Sequence, residues 1–288
     1  MIRIATIVGA LLLTSTAYAQ SAPVGQYVSV NGMKVYYETS GEGEPLIVLH
    51  GAYMNIPSMG AIIPMLARTH QVIAVELQGH GRTSDVDRPI TMEGMADDLD
   101  AFMLAIKLER ADVFGYSMGA GVAVQLAVRH PEDVNHLVAA SVSYNMSGYQ
   151  PEFAAMVPSM TPEMFIGSPL ETEYRKYAPD PDHFAAFVDK MIALEHVQQN
   201  WPEADIKGIA APTLLIAGDS DVVTLEHVVS MFRLLGGGKM GGMGAPPSAA
   251  RLAILPATEH TSIPSQPDLL WSVIEPFLQG QTPKSFMM

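Results

Sequence analysis

The sequence predicts an α/β fold, in which a mostly parallel sheet carries helices on both faces and a helical lid is inserted late in the chain. Short, nearly continuous apolar runs, typical of strands buried on both faces, alternate with amphipathic segments of helical period. A hairpin signal, Asn31-Gly32, precedes this alternation. Later, roughly 65 residues contain helix starts but no strand pattern. These features predict one domain over residues 20–288, with an insertion at about 146–208.

Eight strands are expected in chain order: a hairpin followed by six apolar runs that fit buried strands. They are predicted at Gln26–Val30, Lys34–Glu38, Pro45–His50, Gln71–Glu76, Asp112–Tyr116, Leu137–Ser141, Thr213–Ala217 and Leu252–Pro256. Apolar residues at helical spacing separate several of these runs. They predict helices at 92–106, Gly119–His130, Leu225–Leu235 and Asp268–Leu278.

Helix-start signals mark the insertion between the sixth and seventh strands. Ser168 begins a capping box with Glu171, and Asp182 is a candidate cap for the helix that follows it. The insertion is therefore predicted to be helical and to lie over the sheet as a lid. Residues 235–247 contain too many glycines for a helix or a strand, so a flexible loop is expected there.

Composition and charge exclude several classes of protein. The 288 residues include 16 lysines and arginines against 30 acids, which gives a formal net charge of −14. Such a surface repels phosphate backbones and anionic membranes, so we expect neither nucleic acid nor a membrane as a partner. The absence of cysteine excludes disulfides and thiolate chemistry. No metal-ligand spacing or P-loop motif occurs, and the sequence predicts neither a metal nor a cofactor.

Residues 1–19 have the pattern of a cleaved signal peptide. Arg3 precedes an apolar run that ends at Leu13, and Ala17-Tyr18-Ala19 forms an A-x-A cleavage pattern. The apolar run has about half of the 20 residues that span a bilayer, which favours cleavage over anchoring. The sequence thus predicts an exported protein, periplasmic or secreted, without a membrane anchor once the signal is removed.

The segment Gly115-Tyr116-Ser117-Met118-Gly119 matches the pattern G-x-S-x-G. It joins a predicted strand to a predicted helix, and the sharp turn between them needs small residues on both sides of the serine. The turn exposes the Ser117 hydroxyl and places the Met118 N–H at a helix N-terminus, where developing negative charge is stabilised. Ser117 is therefore predicted to be a nucleophile. The alternative is a glycine-rich helix start without a reactive serine.

A serine nucleophile needs a base, and His260 is the candidate among nine histidines. It follows the last predicted strand, at the edge where parallel sheets carry their functional groups. The third member is an aspartate after the seventh strand. Asp221 is preferred because it lies further out toward the site, whereas Asp219 fits an Asx turn. The chain order Ser117, Asp221, His260 is the one expected for this kind of turn.

Five short motifs together make the sequence resemble the α/β-hydrolase superfamily over essentially the whole mature chain. The motifs are LHG at 49–51, GHGRT at 79–83, GYSMG at 115–119, GDSD at 218–221 and ATEH at 257–260. The resemblance implies an oxyanion hole formed by the backbone N–H groups of Ala52 and Met118. The chain departs from the family in having a single His-Gly instead of HGGG, and Glu76 where an aspartate is usual. We expect Glu76 and His80 to order loops.

The resemblance implies acyl transfer to water by a serine hydrolase, and GYSMG is also similar to the cofactor-free haloperoxidases. The predicted substrate is a small-molecule carboxylic ester with a small to medium acyl group. Tyr53, Met54 and Tyr116 are its expected contacts. The alternatives are lactonase, C–C bond hydrolase, or perhydrolase and haloperoxidase activity on the same three residues. A protein of this fold that binds a ligand without catalysis is a further alternative.

Overall fold

A computed structural model of the protein describes residues 23–197, 199–241 and 248–282. The predicted signal peptide lies outside these residues, and so does the 242–247 part of the glycine-rich loop. The part of that loop that is described, 235–241, contains neither helix nor strand. Among the described residues, no helix has both the length and the apolar character needed to cross a bilayer.

All eight predicted strands are found, and they form one sheet in the order β1-β2-β4-β3-β5-β6-β7-β8. Their bounds are β1 Val24–Val30, β2 Met33–Ser40, β3 Glu44–Leu49, β4 His70–Val75, β5 Ala111–Tyr116, β6 Val134–Ala140, β7 Thr213–Ser220 and β8 Arg251–Glu259. β2 is antiparallel to β1 and β4, whereas the pairs from β4 through to β8 are parallel. The parallel strands therefore end together along one edge of the sheet.

The turn between β1 and β2 has the geometry that its sequence predicts. Asn31 and Gly32 both have positive φ angles, of 47° and 84°. Val30 pairs directly with Met33, so the two residues form a tight hairpin loop.

Helices cover both faces of the sheet, as predicted. Their bounds are α1 Ile62–Leu66, α2 Met92–Ala105, α3 Met118–Arg129, α4 Pro151–Met156, α5 Pro169–Tyr177, α6 Phe184–His196, α7 Glu203–Gly208, α8 Leu225–Leu234 and α9 Pro267–Leu278. Buried residues of α2, α3 and α8 pack on one face, and those of α1 and α9 pack on the other. The sequence did not predict α1, because its five residues are too few to show a helical period.

Helices α4 to α7 fill the segment between β6 and β7, where the insertion is expected. Ser168 caps α5 as predicted, since its hydroxyl accepts a hydrogen bond from the Glu171 N–H at 3.3 Å. The second half of the predicted capping box is not formed, because the Glu171 carboxylate accepts from the N–H of Gly167 instead of Ser168. The expectation that Asp182 caps the next helix is wrong. Asp182 lies inside a 3-10 turn whose cap is Asp180, and α6 begins after this turn without a side-chain cap. The proline that follows Asp180 starts the turn before the expected cap.

Two glycines allow the turn at Ser117 to pack against the end of β3. Ser117 has φ 54° and ψ −119°, a conformation that residues with a side chain rarely adopt. A Cβ on Gly119 would lie 2.5 Å from the carbonyl oxygen of His50 and 2.6 Å from that of Leu49. A Cβ on Gly115 would collide with the Gly119 carbonyl. The start of α3 therefore lies directly against the sheet backbone.

We expect Gly119→Ala to lower the free energy of unfolding by about 3 kcal/mol, because the added methyl group would meet two rigid backbone carbonyls. The matched control is Gly208→Ala at the exposed end of α7, where an added Cβ meets nothing within 4 Å. That change should alter stability by less than about 0.5 kcal/mol. Urea denaturation measures both. Equal effects of the two substitutions would show that Gly119 does not lie against the carbonyls of Leu49 and His50.

Candidate active site

Ser117, His260 and Asp221 come together at the carboxyl edge of the sheet, after β5, β8 and β7. The Ser117 Oγ lies 2.9 Å from Nε2 of His260, and the Nδ1 of that ring lies 2.9 Å from Oδ1 of Asp221. Because a carboxylate only accepts hydrogen bonds, we assign the proton of the neutral ring to Nδ1. Nε2 is then able to accept the hydroxyl proton of the serine.

Asp221 is buried but ionised. Burial by itself would raise the pKa of this carboxyl. The hydrogen bond and charge of His260, with hydrogen bonds from Ser141 and the Gly218 N–H, outweigh burial and hold the pKa of Asp221 below its usual value. The carboxylate is therefore charged at neutral pH, as stabilisation of a protonated imidazole requires.

Of the two aspartates in the GDSD motif, the structure places Asp221 beside His260. Asp219 is exposed, and its carboxylate accepts hydrogen bonds from the backbone N–H groups of Ala257 and Thr258 at 2.8 and 3.1 Å. It thereby ties the end of β7 to β8. The expected Asx turn is therefore wrong, because Asp219 lies inside β7 and the backbone groups it binds belong to the neighbouring strand.

Ser141 is a residue of the site that no motif marks. It follows β6, and its hydroxyl donates a hydrogen bond to Oδ1 of Asp221 at 2.8 Å. The Oγ of Ser141 also lies 2.6 Å from Nδ1 of His260. The backbone of Ser141 is left-handed, with φ 58°. One feature of the sequence could have indicated it. Ser141 follows the strand that lies between β5 and β7, at the edge where the site forms, and no acidic residue follows that strand.

The turn after β3 brings the backbone N–H of Ala52 to the cavity beside Ser117. Ala52 and Met118, the two expected oxyanion donors, both line the cavity into which Ser117 opens. Neither of their N–H groups is paired with an acceptor within residues 23–197, 199–241 and 248–282. Two unpaired amides beside a serine hydroxyl can stabilise a tetrahedral oxyanion.

Two buried histidines hold this turn. His50 accepts a hydrogen bond from the Leu77 N–H at Nε2 (3.2 Å) and donates from Nδ1 to the carbonyl of the next residue (2.8 Å). His80 accepts from the Tyr53 N–H at Nε2 (3.2 Å) and donates from Nδ1 to the carbonyl two residues before it (2.8 Å). Burial lowers the pKa of His50 to about 4 and that of His80 to about 3. Both rings are thus neutral at neutral pH.

Glu76 orders the loops around the turn. Its buried carboxylate accepts hydrogen bonds from the backbone N–H of Ile56 at 3.2 Å and of Arg82 at 2.5 Å. The Arg82 guanidinium adds a third hydrogen bond, at 2.8 Å. Burial raises the pKa of Glu76, and its contacts with Arg82 oppose the rise. Glu76 and His80 therefore tie loops together, as expected, and neither lines the cavity beside Ser117.

The cavity beside Ser117 has a volume of about 380 Å³, within the usual range of small-molecule sites. The sheet edge forms one side of it, and residues from α4 to α6 and their connections form the other. Tyr53, Met54 and Tyr116, the expected substrate contacts, all line it. The Tyr116 hydroxyl donates a hydrogen bond to the His260 carbonyl at 2.8 Å, so Tyr116 also positions the histidine.

The lid contributes some of its methionines to the cavity. Met146 and Met160 line it, whereas Met191 is buried in the core and Met156 and Met164 are exposed. Their flexible thioether side chains give this part of the wall an adaptable apolar surface.

A group of side chains able to hold a metal ion lies elsewhere in the described chain. Asp100, His130 and Asp133 each place a ligand atom within 4.8 Å of the others. Burial, followed by the charge of Asp100, raises the pKa of Asp133 to about 6. This group lies at the amino end of β6, on the opposite edge of the sheet from Ser117.

Comparison with known proteins gives matches in sequence and in structure. Residues 44–173 match the family model described as the alpha/beta hydrolase fold. The chain is 27% identical over 265 residues to a 2-hydroxymuconate semialdehyde hydrolase of Pseudomonas sp. (strain CF600), a match that covers 82% of this chain and 94% of the relative. It is 26% identical over 239 residues to a 2-hydroxy-6-oxo-6-(2'-aminophenyl)hexa-2,4-dienoic acid hydrolase of Metapseudomonas resinovorans, covering 75% and 82% of the two chains.

A similar solved structure is that of a serine hydrolase involved in carbazole degradation. It superposes with a TM-score of 0.71 and 25% sequence identity. The superposition covers 90% of this chain and 100% of that one. The likeness thus extends over the sheet and the helical insertion.

We expect Ser141→Gly to slow the labelling of Ser117 by a fluorophosphonate about tenfold. The substitution removes a hydrogen bond to a charged carboxylate, worth about 1.5 kcal/mol or more, and glycine keeps the left-handed backbone without strain. Ser141→Ala should slow labelling equally, and it should be less stable than Ser141→Gly by about 1 kcal/mol, because alanine keeps the Cβ that is strained in a left-handed backbone. Labelling of Ser141→Gly at the wild-type rate would exclude a role for this hydroxyl.

The free energy of unfolding should fall as the pH is lowered from 7 to 5. In the unfolded chain His50 and His80 take up protons near their ordinary pKa of 6.5, whereas in the folded protein they stay neutral down to about pH 4 and pH 3. The unfolded state then binds more protons than the folded state. Between pH 7 and pH 5, each histidine therefore lowers the free energy of unfolding by about 2 kcal/mol.

Urea denaturation at the two pH values measures this loss. The His80→Gln variant keeps an acceptor for the Tyr53 N–H but does not titrate, so its loss should be smaller than that of the wild type by about 2 kcal/mol. An unchanged pH dependence in the variant would show that His80 is not held neutral by the fold.

Proposed function

Because this chain is a hydrolase that belongs to the α/β-hydrolase superfamily, we propose that it cleaves small-molecule carboxylic esters through Ser117, His260 and Asp221. The observation that carries the proposal is the continuous hydrogen-bonded chain from the Ser117 hydroxyl through the imidazole to the buried carboxylate. The hydroxyl opens into a mostly apolar cavity of about 380 Å³, a size that suits a small to medium acyl group.

In the proposed reaction the Ser117 oxygen attacks the ester carbonyl while Nε2 of His260 takes its proton. The N–H groups of Ala52 and Met118 stabilise the oxyanion of the tetrahedral intermediate. The intermediate collapses to an acyl-enzyme, and the imidazolium gives its proton to the departing alcohol. Water, deprotonated by the same nitrogen, then attacks the acyl-enzyme and releases the acid and Ser117. Asp221 stabilises the imidazolium in both steps.

The charge of the cavity disfavours an ester that carries a carboxylate. No lysine or arginine is among the described residues that line the cavity, and Glu195 is a carboxylate that does line it. A substrate carboxylate would enter a partly desolvated space with a like charge and no cation to pair with, which is unfavourable.

A second candidate is hydrolysis of a C–C bond in an unsaturated oxo acid by the same three residues. It is favoured by the relative in Metapseudomonas resinovorans, which is named as the hydrolase of a hydroxy-oxo-dienoic acid. The two candidates share the nucleophile and the base but differ in the charge that the substrate brings into the cavity.

The proposal is tested by hydrolysis of p-nitrophenyl acetate, butyrate and octanoate. We expect turnover by the wild type, with butyrate preferred over octanoate, and a loss of about 10⁴-fold or more in kcat for Ser117→Ala. Ser220→Ala, at the exposed end of β7, is the matched control and should retain wild-type activity.

Activity that survives in Ser117→Ala would refute the mechanism. Absence of ester turnover together with absence of fluorophosphonate labelling would favour a ligand-binding protein. Cleavage of a hydroxy-oxo-hexadienoate in preference to every ester would favour the second candidate.

A further inference from the structure

Glu195 is an acidic side chain in the cavity wall to which the proposed ester mechanism assigns no role. It lies on α6, is half-buried, and lines the same cavity as Ser117 and His260. No hydrogen bond or ion pair joins its carboxylate to another residue in the described part of the chain. The buried acids Glu76 and Asp221, by contrast, each have several partners. Burial raises the pKa of Glu195, and the charges of His260 and His196 oppose the rise. A cation that binds beside this acid would favour its charged form, so the cavity is suited to a positively charged partner from outside the protein.

The Tyr53 hydroxyl is a second polar group in this wall without a partner among the described residues. It is buried, and the ring that carries it stacks on Phe165 with centroids 5.0 Å apart. Burial chiefly, and then the charge of Glu195, raise the pKa values of Tyr53 and Tyr149. The carboxylate therefore acts on two tyrosines that line the same cavity.

Aromatic rings line the same cavity as this carboxylate. Tyr149 and Phe153 line the cavity together, with ring centroids 5.3 Å apart. A carboxylate beside aromatic faces is the arrangement that recognises an ammonium group, through charge attraction and cation–π contacts. The lining residues that the structure describes include no lysine or arginine that would occupy this position instead.

We propose that Glu195, Tyr53, Tyr149 and Phe153 form a subsite for an ammonium group of the substrate. The proposal rests on the proposed ester hydrolysis and specifies its substrate class: an ester that carries a protonated or quaternary amine. Esters that carry a carboxylate are excluded by the same side chain. Glu195 is thus a specificity-determining residue, whereas Ser117 and His260 perform the chemistry.

The test uses two p-nitrophenyl esters of equal shape, one whose acyl chain ends in a trimethylammonium group and one whose chain ends in a tert-butyl group. We expect the wild type to have a kcat/KM about tenfold higher for the cationic ester. Glu195→Gln should abolish this preference. Because any effect of the substitution on His260 acts on both esters alike, the ratio of the two values isolates the subsite.

Asp189→Asn is the matched control, because Asp189 is exposed on the same helix and does not line the cavity. It removes the same charge from the protein, and it should leave the ratio unchanged. Equal values for the two esters in the wild type would overturn the proposal. So would a preference that persists in Glu195→Gln, since it would then arise from the overall negative charge of the protein.

Binding measurements separate this proposal from the proposed function. Calorimetry of the Ser117→Ala protein with ethyl esters of the same two acyl chains requires no turnover. Tighter binding of the cationic ester by about tenfold, lost in the Ser117→Ala, Glu195→Gln double variant, would support the subsite even if ester hydrolysis failed. Equal affinities would overturn the subsite while leaving the reaction untouched.

Discussion

The close contact between the turn at Ser117 and the end of β3 is the constraint on which the site depends. Gly115 and Gly119 carry no Cβ, so α3 begins against the carbonyls of β3 and Ser117 takes a left-handed backbone. This brings the hydroxyl to the carboxyl edge of the sheet. The loops after β7 and β8 end at the same edge, and they reach the hydroxyl with Asp221 and His260. Parallel strands thus make neighbours of residues that are distant in the sequence.

The two sides of the site use burial in opposite ways. His50 and His80 are buried and hydrogen-bond to no acidic side chain in the described part of the chain, so they stay neutral and act as fixed hydrogen-bonding groups for the turn that carries Ala52. Asp221 is buried with hydrogen-bond donors around it, so it stays charged. Desolvation alone removes a charge, whereas desolvation with good partners preserves it. The neutral side suits the binding of an oxyanion, and the charged side suits the stabilisation of an imidazolium.

The three residues of the proposed reaction and much of the cavity wall come from different parts of the chain. The edge of the sheet supplies the proposed nucleophile, base and acid, whose arrangement serves more than one hydrolytic reaction. The helical insertion supplies much of the cavity wall, with apolar side chains, aromatic rings and the carboxylate of Glu195. On the proposed function, we expect a substitution in the insertion to act on substrate binding, and a substitution of Ser117, His260 or Asp221 to act on the reaction itself.

The eight strands, the longer helices of the sheet domain, the hairpin at Asn31-Gly32 and the serine turn could be predicted from the sequence, because each has a local signal in residue period or turn chemistry. The choice between Asp221 and Asp219, and the presence of Ser141 and Glu195 at the site, became visible in the folded chain. Ser141 and Asp221 are hydrogen-bonded but lie 80 positions apart. No local pattern reports a contact at that separation, since it exists only once the strands have been placed side by side.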